Sequence, residues 1–482
     1  MTGKNSLWFF IHVFVAGCLF LGLRPESEAL IASVRRGDEL AQARRYSDAL
    51  DAYRQAAAQC AGCAAPHLRQ GDIYVAQGRH AEAWSAYLSA QRLGGQSDAL
   101  TAAQAQLYLA QGAPEWSMAM WRDLLARRPG RVDWWMLLAQ ACLAADDRRG
   151  AQEAFERALD GHIAAQQRQV VDERLGVLCL EMDAGCALAH FEAAVSGPDG
   201  ALGARAQAFV VALRGQDDEP ALFRAKLGQV LFERGDLVLA QRQFRDAVEL
   251  EPAYVDAHAY LGYVSSLLGD TDAALDHLER AIALEPAWPL PYYFLGMHYA
   301  RQGWWITARD VLVQAHDLAP ANPAICAAVA ETYLQAQNSY YAAAESWLHA
   351  AVDNAPDDVR FHLLLARFYV DYGIDPGVRG VAVAQVAVDL APENSAAHET
   401  LGWALYLAGN PDLALEPLRR AQQLAPDEPR IAYRLGEVYR ALGQSQKAVR
   451  FYQQAIDLDW YGVVGDKARR ARASVQAGLT GG

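Results

Sequence analysis

The stretch "GDTDAALDHLERAIALEP", Gly269–Pro286, decides how the rest of the chain is read. Apolar residues recur at helical spacing between Asp270 and Leu284, which predicts one amphipathic helix. Gly269 is placed to end a preceding helix in the left-handed conformation, and Pro286 stops this one from running on. The segment is therefore the second helix of a helical hairpin, with a stop signal at each end. Near-copies lie on both sides of it. Leu227-Gly228, Leu261-Gly262 and Leu295-Gly296 open successive units 34 residues apart, each followed by Ala240, Ala274 or Ala308 and closed by Pro252, Pro286 or Pro320. Phe244, Leu278 and Leu312 follow the glycines by 16 positions, a large residue facing a small one where two helices cross.

The same register continues with Leu401-Gly402, Ala414, Leu418 and Pro426, then with Leu435-Gly436, Tyr439, Ala448, Tyr452 and Ala455. Backward it reaches Leu30 through Ala49, Tyr53 and Ala56; Gly71, Tyr74, Ala83 and Tyr87; Tyr108, Trp121 and Pro129; and Trp135, Ala151 and Phe155. A 34-residue period with Trp, Leu, Gly, Tyr, Ala, Phe and Pro at these positions resembles the tetratricopeptide repeat family. The resemblance implies an all-α fold, a right-handed α-α superhelix of about twelve hairpins, because one hairpin cannot bury its apolar faces alone and must stack on others. It also implies a non-catalytic scaffold that binds peptides or proteins along a concave groove lined by the first helix of each pair.

The bulk composition agrees. A chain of 482 residues with 52% hydrophobic residues must bury a sizeable core, and its formal charge of -14 repels phosphate backbones, so nucleic acid is excluded as a partner. The register divides the chain into a signal or anchor segment (1–29), an N-terminal repeat array (30–199), an irregular helix and linker (200–220), a C-terminal array (221–462) and a capping helix with a short tail (463–482). Inserted loops are expected at Gln337–Tyr341 and Tyr372–Gly380.

Leu7–Leu23, "LWFFIHVFVAGCLFLGL", is an apolar run between Lys4 and Arg24 that predicts an N-terminal apolar helix, read as an uncleaved membrane anchor, a cleaved signal or a lipoprotein leader, the last from "VAGC" at Val15–Cys18. All three predict a membrane-anchored or exported bacterial protein with its repeats on the extracytoplasmic side. Partners would then be envelope assembly, secretion or polysaccharide machinery. The rival reading is a docking subunit of an envelope enzyme complex handling haem or glycans.

No catalytic or cofactor site emerges. "GIDPGVRG" lacks the Gly-Lys-Ser/Thr of a phosphate loop, and no His-Glu-x-x-His occurs; His258, His362 and His398 share the Trp position of their repeats. "CAGC" raises a third reading, a thiol-redox protein. Cys60, Cys63 and His67 supply at most three zinc ligands, and a helix C-terminus beside Cys60 disfavours its thiolate. A local disulfide Cys60–Cys63 or two inert thiols is the preferred reading, with Cys179–Cys186 a candidate second disulfide across a hairpin and no metal bound. Carrying the repeat register across places Phe232, Tyr263, Tyr293, Met297, Trp403, Tyr406 and Tyr433 on the groove, with Arg301, Arg367 and Arg440 among them. Aromatic anchors beside mixed charges are how a groove grips a peptide. Trp304, at a hairpin turn, marks an outer contact.

Overall fold

The computed structural model describes residues 28–180, 184–214, 219–335 and 340–480. Among these residues there are 26 α-helices and no strand, so the chain is all-α. They fall into two units. The first contains the described residues up to Gln207 and those from Asp427 onward; the second spans Ala208–Pro426.

In the first unit the hairpins pair α1 (Glu28–Gln42) with α2 (Tyr46–Gln59), α3 (Ala64–Ala76) with α4 (His80–Gly94), α5 (Asp98–Ala110) with α6 (Pro114–Arg127), α7 (Val132–Ala144) with α8 (Arg148–Leu159), and α9 (Ala165–Cys179) with α10 (Ala184–Val195). A lone helix, α11 (Gly200–Arg214), carries the division between the units. In the second unit α12 (Pro220–Arg234) pairs with α13 (Leu237–Leu250), α14 (Val255–Leu268) with α15 (Thr271–Leu284), α16 (Pro289–Arg301) with α17 (Trp305–Leu318), α18 (Pro323–Gln335) with α19 (Tyr341–Asn354), α20 (Val359–Asp371) with α21 (Val381–Leu390), and α22 (Ser395–Leu407) with α23 (Pro411–Leu424). The last hairpin, α24 (Pro429–Ala441) with α25 (Ser445–Leu458), and the final helix α26 (Val463–Thr480) belong to the first unit. Twelve hairpins result, the number the repeat register implies.

Most hairpins are set by one close approach of a helix glycine to a large side chain on the facing helix. An added Cβ at Gly71 would lie 2.1 Å from Tyr87 Cε1, one at Gly262 would lie 2.7 Å from Leu278 Cγ, and one at Gly436 would lie 2.5 Å from Tyr452 Cε1. Tyr87, Leu278 and Tyr452 are in turn fully buried. Burying each such side chain contributes about 1.5–3 kcal/mol, and the facing glycine is what lets the backbones come near enough to close the gap. The turns follow the punctuation read from the sequence. Gly269 takes φ +89° after α14, and Asp270 then accepts the Ala273 N–H at 3.2 Å to cap α15.

The insertion at Tyr372–Gly380 departs from expectation. It is not an open loop: Pro376–Gly380 forms a π-helical turn leading straight into α21, and the Asp375 side chain caps it by accepting the Val378 N–H at 3.2 Å. A wider turn absorbs extra residues without breaking the helix that follows. The other insertion, Gln337–Tyr341, and the "GQDDEP" linker at Gly215–Pro220 fall mostly outside the described residues.

The prediction of a membrane-anchored or exported chain is overturned: among the described residues no helix is long and apolar enough to cross a membrane. Leu7–Leu23, on which that prediction and the N-terminal apolar helix rested, lies outside the described residues.

The first and last hairpins of the chain meet within the first unit. Asp457, buried on α25, accepts hydrogen bonds from the Ser47 backbone N–H at 2.9 Å, the Ser47 hydroxyl at 2.6 Å and the Gln453 amide at 2.9 Å. Arg44 pairs with Asp427, and the Arg79 guanidinium lies 4.1 Å above the Trp460 ring.

Replacing Gly71 with Ala is expected to lower the urea-unfolding free energy by about 1–3 kcal/mol, because the added methyl drives into Tyr87. Gly130→Ala, where an added Cβ meets nothing within 4 Å, is the control and should change it by less than about 0.5 kcal/mol. Equal effects at the two sites would contradict the close-approach account.

Candidate partner-binding face

The face formed by the first helices carries the aromatic residues picked out from the sequence, and the structure shows how they are held. In the second unit, Phe232 on α12 meets Tyr263 on α14 edge-on, ring centres 5.9 Å apart. Tyr263 stacks flat on Phe294 of α16 at 4.5 Å, and Tyr293 sits 5.6 Å from the same ring. Tyr260 joins in, touching Phe232 at 5.9 Å and Phe294 at 5.1 Å. Three successive first helices are thus bridged by one run of rings, each pair contributing about 0.5–1.5 kcal/mol beyond its buried area. Trp403 and Tyr406, one turn apart on α22, stack at 4.6 Å as a separate pair. Every ring expected on the groove is half-buried, so each both packs against a neighbour and leaves an edge to solvent.

Burial pushes the hydroxyls of Tyr263 and Tyr293 upward in pKa, so both remain neutral and available as donors or acceptors at ordinary pH. Met297 and Arg367 are half-buried, while Arg301 is exposed and donates to the Leu267 carbonyl at 3.3 Å. Tyr433 and Arg440 belong to the first unit. Tyr433 lies 6.0 Å from Tyr452, and Arg440 donates to Glu437 at 2.7 Å, whose other oxygen accepts the Tyr452 hydroxyl at 2.7 Å. Arg440 is thereby committed to an internal pair. Trp304 stacks on Tyr299 at 5.7 Å and still keeps 56% of its surface exposed.

Several features escaped the sequence reading. Tyr53, Tyr87 and Tyr452 donate to Asp38, Asp72 and Glu437 respectively, always to the acid 15 residues earlier and directly after the repeat glycine. That spacing was visible in the sequence and could have been found. Trp116 is 65% exposed and stacks on Tyr108 at 6.2 Å, with Trp84 edge-on to the same Tyr108 at 5.2 Å, an aromatic group in the first unit. His258 places Nδ1 3.1 Å from His277 Nδ1, with its Nε2 donating to the Pro252 carbonyl at 3.2 Å. His298 lies fully buried with Nδ1 2.7 Å from the Ser266 hydroxyl.

Sulfur–sulfur bonds join Cys60 to Cys63 and Cys179 to Cys186, with Cα atoms 5.4 and 5.8 Å apart. The first closes the turn between α2 and α3, while Cys142 and Cys326 are buried free thiols. Among the described residues one group of three metal-ligating side chains converges, and it is Cys179, Cys186 and His190, not the set around Cys60.

An array of stacked helical hairpins defines the class: an all-α repeat protein. The tetratricopeptide repeat profile matches residues 34–98, 225–290 and 379–429, and the profile described as YpiA-like, tetratricopeptide repeats, matches 407–459. The chain is a tetratricopeptide repeat protein. Proteins of this kind generally serve as scaffolds for protein–protein interaction. Among solved structures, that of yeast Tom70 aligns over 94% of this chain and 97% of its own at 13% identity and a TM-score of 0.41. Pseudomonas aeruginosa pilF aligns over 45% and 96% at 18% identity and 0.38. YrrB, described as a TPR protein with an unusual peptide-binding site, aligns over 39% and 95% at 18% identity and 0.32. No curated protein matches the chain in sequence.

Burial lowers the pKa of His258, His277 and His298, so the fold holds all three neutral. Their folded values lie below the free imidazole value of about 6.5, and the unfolded chain takes up protons first as pH falls. Stability from these residues is complete above about pH 6.5 and lost toward lower pH. Urea midpoints should therefore drop between pH 7.5 and pH 5.5, and His277→Gln should flatten that drop. An unchanged slope in the variant would remove the His258–His277 pair as a cause.

Proposed function

We propose that this chain is a non-catalytic scaffold that binds an extended segment of a protein partner along the first-helix face of the second unit. The observation that carries the reading is the run from Phe232 through Tyr263 to Tyr293, with the separate Trp403–Tyr406 pair further along the unit, in which half-buried rings offer rigid apolar edges. A ring already locked by stacking loses little freedom when a peptide lies against it, so more of the contact energy reaches affinity. Met297 adds an adaptable surface, and Arg301 and Arg367 supply charges that can fix the direction of a bound chain. Tyr433 and Arg440 are left out of the core of the proposal because Arg440 is already paired with Glu437.

Peptides selected from a displayed linear library on the folded chain provide the probe. Trp403→Ala with Tyr406→Ala should weaken the selected peptides at least tenfold, about 1.4 kcal/mol, with helical circular dichroism unchanged. Peptides that bind the double variant and a Tyr263→Ala variant as tightly as the parent would place recognition elsewhere.

A further inference from the structure

The hairpin of α9 and α10 carries chemistry that the scaffold reading does not use. Gly176 faces Phe191 across the hairpin, where an added Cβ would lie 2.8 Å from the ring, so the two helices run close together. His190 adjoins Phe191, and Cys186 lies one helical turn before His190, which puts both on one face of α10. Cys179, the last residue of α9, is buried and faces them. One ligand atom from each of Cys179, Cys186 and His190 lies within 4.8 Å of the other two. Behind the histidine stands Asp172, buried on α9, whose Oδ1 is 3.0 Å from His190 Nδ1.

A disulfide between the cysteines needs neither the imidazole nor a carboxylate to orient it. A histidine that gives its Nδ1–H to a buried carboxylate keeps its other nitrogen as a free lone pair and holds the ring fixed, which is the usual arrangement behind a metal-bound imidazole. Two sulfurs and one imidazole nitrogen are the donor set that selects a borderline-soft divalent ion such as Zn2+. Tetrahedral zinc with bonds of about 2.0–2.3 Å needs ligand atoms about 3.7 Å apart, inside the spread observed here once the sulfurs part from their bonded separation of about 2 Å.

We propose that Cys179, Cys186 and His190 form a redox-gated zinc site, oriented by Asp172 and leaving the fourth coordination position to water. In the oxidised form the sulfurs are bonded to each other, as in this structure, and the site cannot take a metal. A thiol or phosphine reductant supplies two electrons, the S–S bond breaks and two protons complete the two thiols. Zinc then displaces both thiol protons to solvent and takes two thiolates and the neutral His190 nitrogen as ligands. Oxidation by a disulfide would run the sequence backward and release the ion. His190 is a ligand and Asp172 a positioning residue.

The test uses the full chain with Cys60→Ser and Cys63→Ser, so that the second cysteine pair cannot contribute. Reduced with excess phosphine, it should bind one Co2+ with thiolate-to-metal charge-transfer absorption, and Zn2+ should displace that signal stoichiometrically. Without reductant neither ion should bind. Zinc affinity measured against a competing chelator should fall at least tenfold in His190→Ala and about 10–100-fold in Asp172→Asn, both with unchanged circular dichroism. Absence of the charge-transfer band in the reduced chain would overturn the proposal, as would parental affinity in His190→Ala. Parental affinity in Asp172→Asn would remove the orienting role.

Discussion

The structure depends on one repeated constraint, the closeness of two helix backbones where a residue without a side chain faces a large one. The pairs Gly71–Tyr87, Gly262–Leu278 and Gly436–Tyr452 occupy equivalent places in their hairpins. A hairpin of this kind is too thin to bury both its faces, so it gains stability only by stacking on the next, and its geometry is handed along the array. The identity of the large residue then decides what the neighbouring first-helix position is free to do. Where it is tyrosine, the residue after the glycine is acidic and is consumed by the buried hydroxyl: Asp38, Asp72 and Glu437. Where it is leucine, no hydroxyl needs a partner, and the same position carries Tyr263, Met297 or Trp403. Core packing and surface chemistry are linked through a single position in the repeat. The tyrosine–acid hairpins all lie in the first unit and the glycine–leucine ones in the second, so it is in the second unit that this first-helix position carries an aromatic ring or methionine.

Much of this was legible in the sequence because its causes are local. Glycine and proline punctuation set the helix ends, and the 34-residue spacing set the number of hairpins. The same register placed Phe232, Tyr263, Tyr293, Trp403 and Tyr406 on first helices, where they sit half-buried. What register cannot supply is the partner of each ring: Tyr263 stacks on Phe294, a core residue of the next repeat, and the tilt that makes this a flat stack comes from helix crossing angles. The π-helical turn at Pro376–Gly380 was hidden for a related reason, since an inserted residue reads as a loop until a capping group such as Asp375 is seen to hold it.

The cysteines show the opposite case: closeness in sequence does not pick out the pair that a histidine joins. Cys60-x-x-Cys63 is conspicuous because its members are close in sequence, yet among the described residues the convergent group of three ligands is not the one around it. Cys179, Cys186 and His190 are spread over the two arms of a hairpin and become a set only when Gly176 lets those arms approach. Proximity in space is created by the same small-residue rule that builds the fold.

The meeting of the first and last hairpins is of a different physical kind from the contacts inside them. Within hairpins the helices are close-packed around large buried side chains; between Ser47 and Asp457 the contact is hydrogen-bonded, Arg44 pairs with Asp427, and Arg79 of the second hairpin lies over the Trp460 ring. Burial raises the pKa of Asp457 despite three donors aimed at it, so desolvation outweighs the hydrogen bonds that favour its charged form. A buried carboxylate of that kind adds little net stability, while any shift in alignment would leave it unpaired, at a cost of several kcal/mol. The junction therefore acts chiefly on register: apolar burial makes each hairpin stable, and the polar contact fixes which surface of the last hairpin the first one meets.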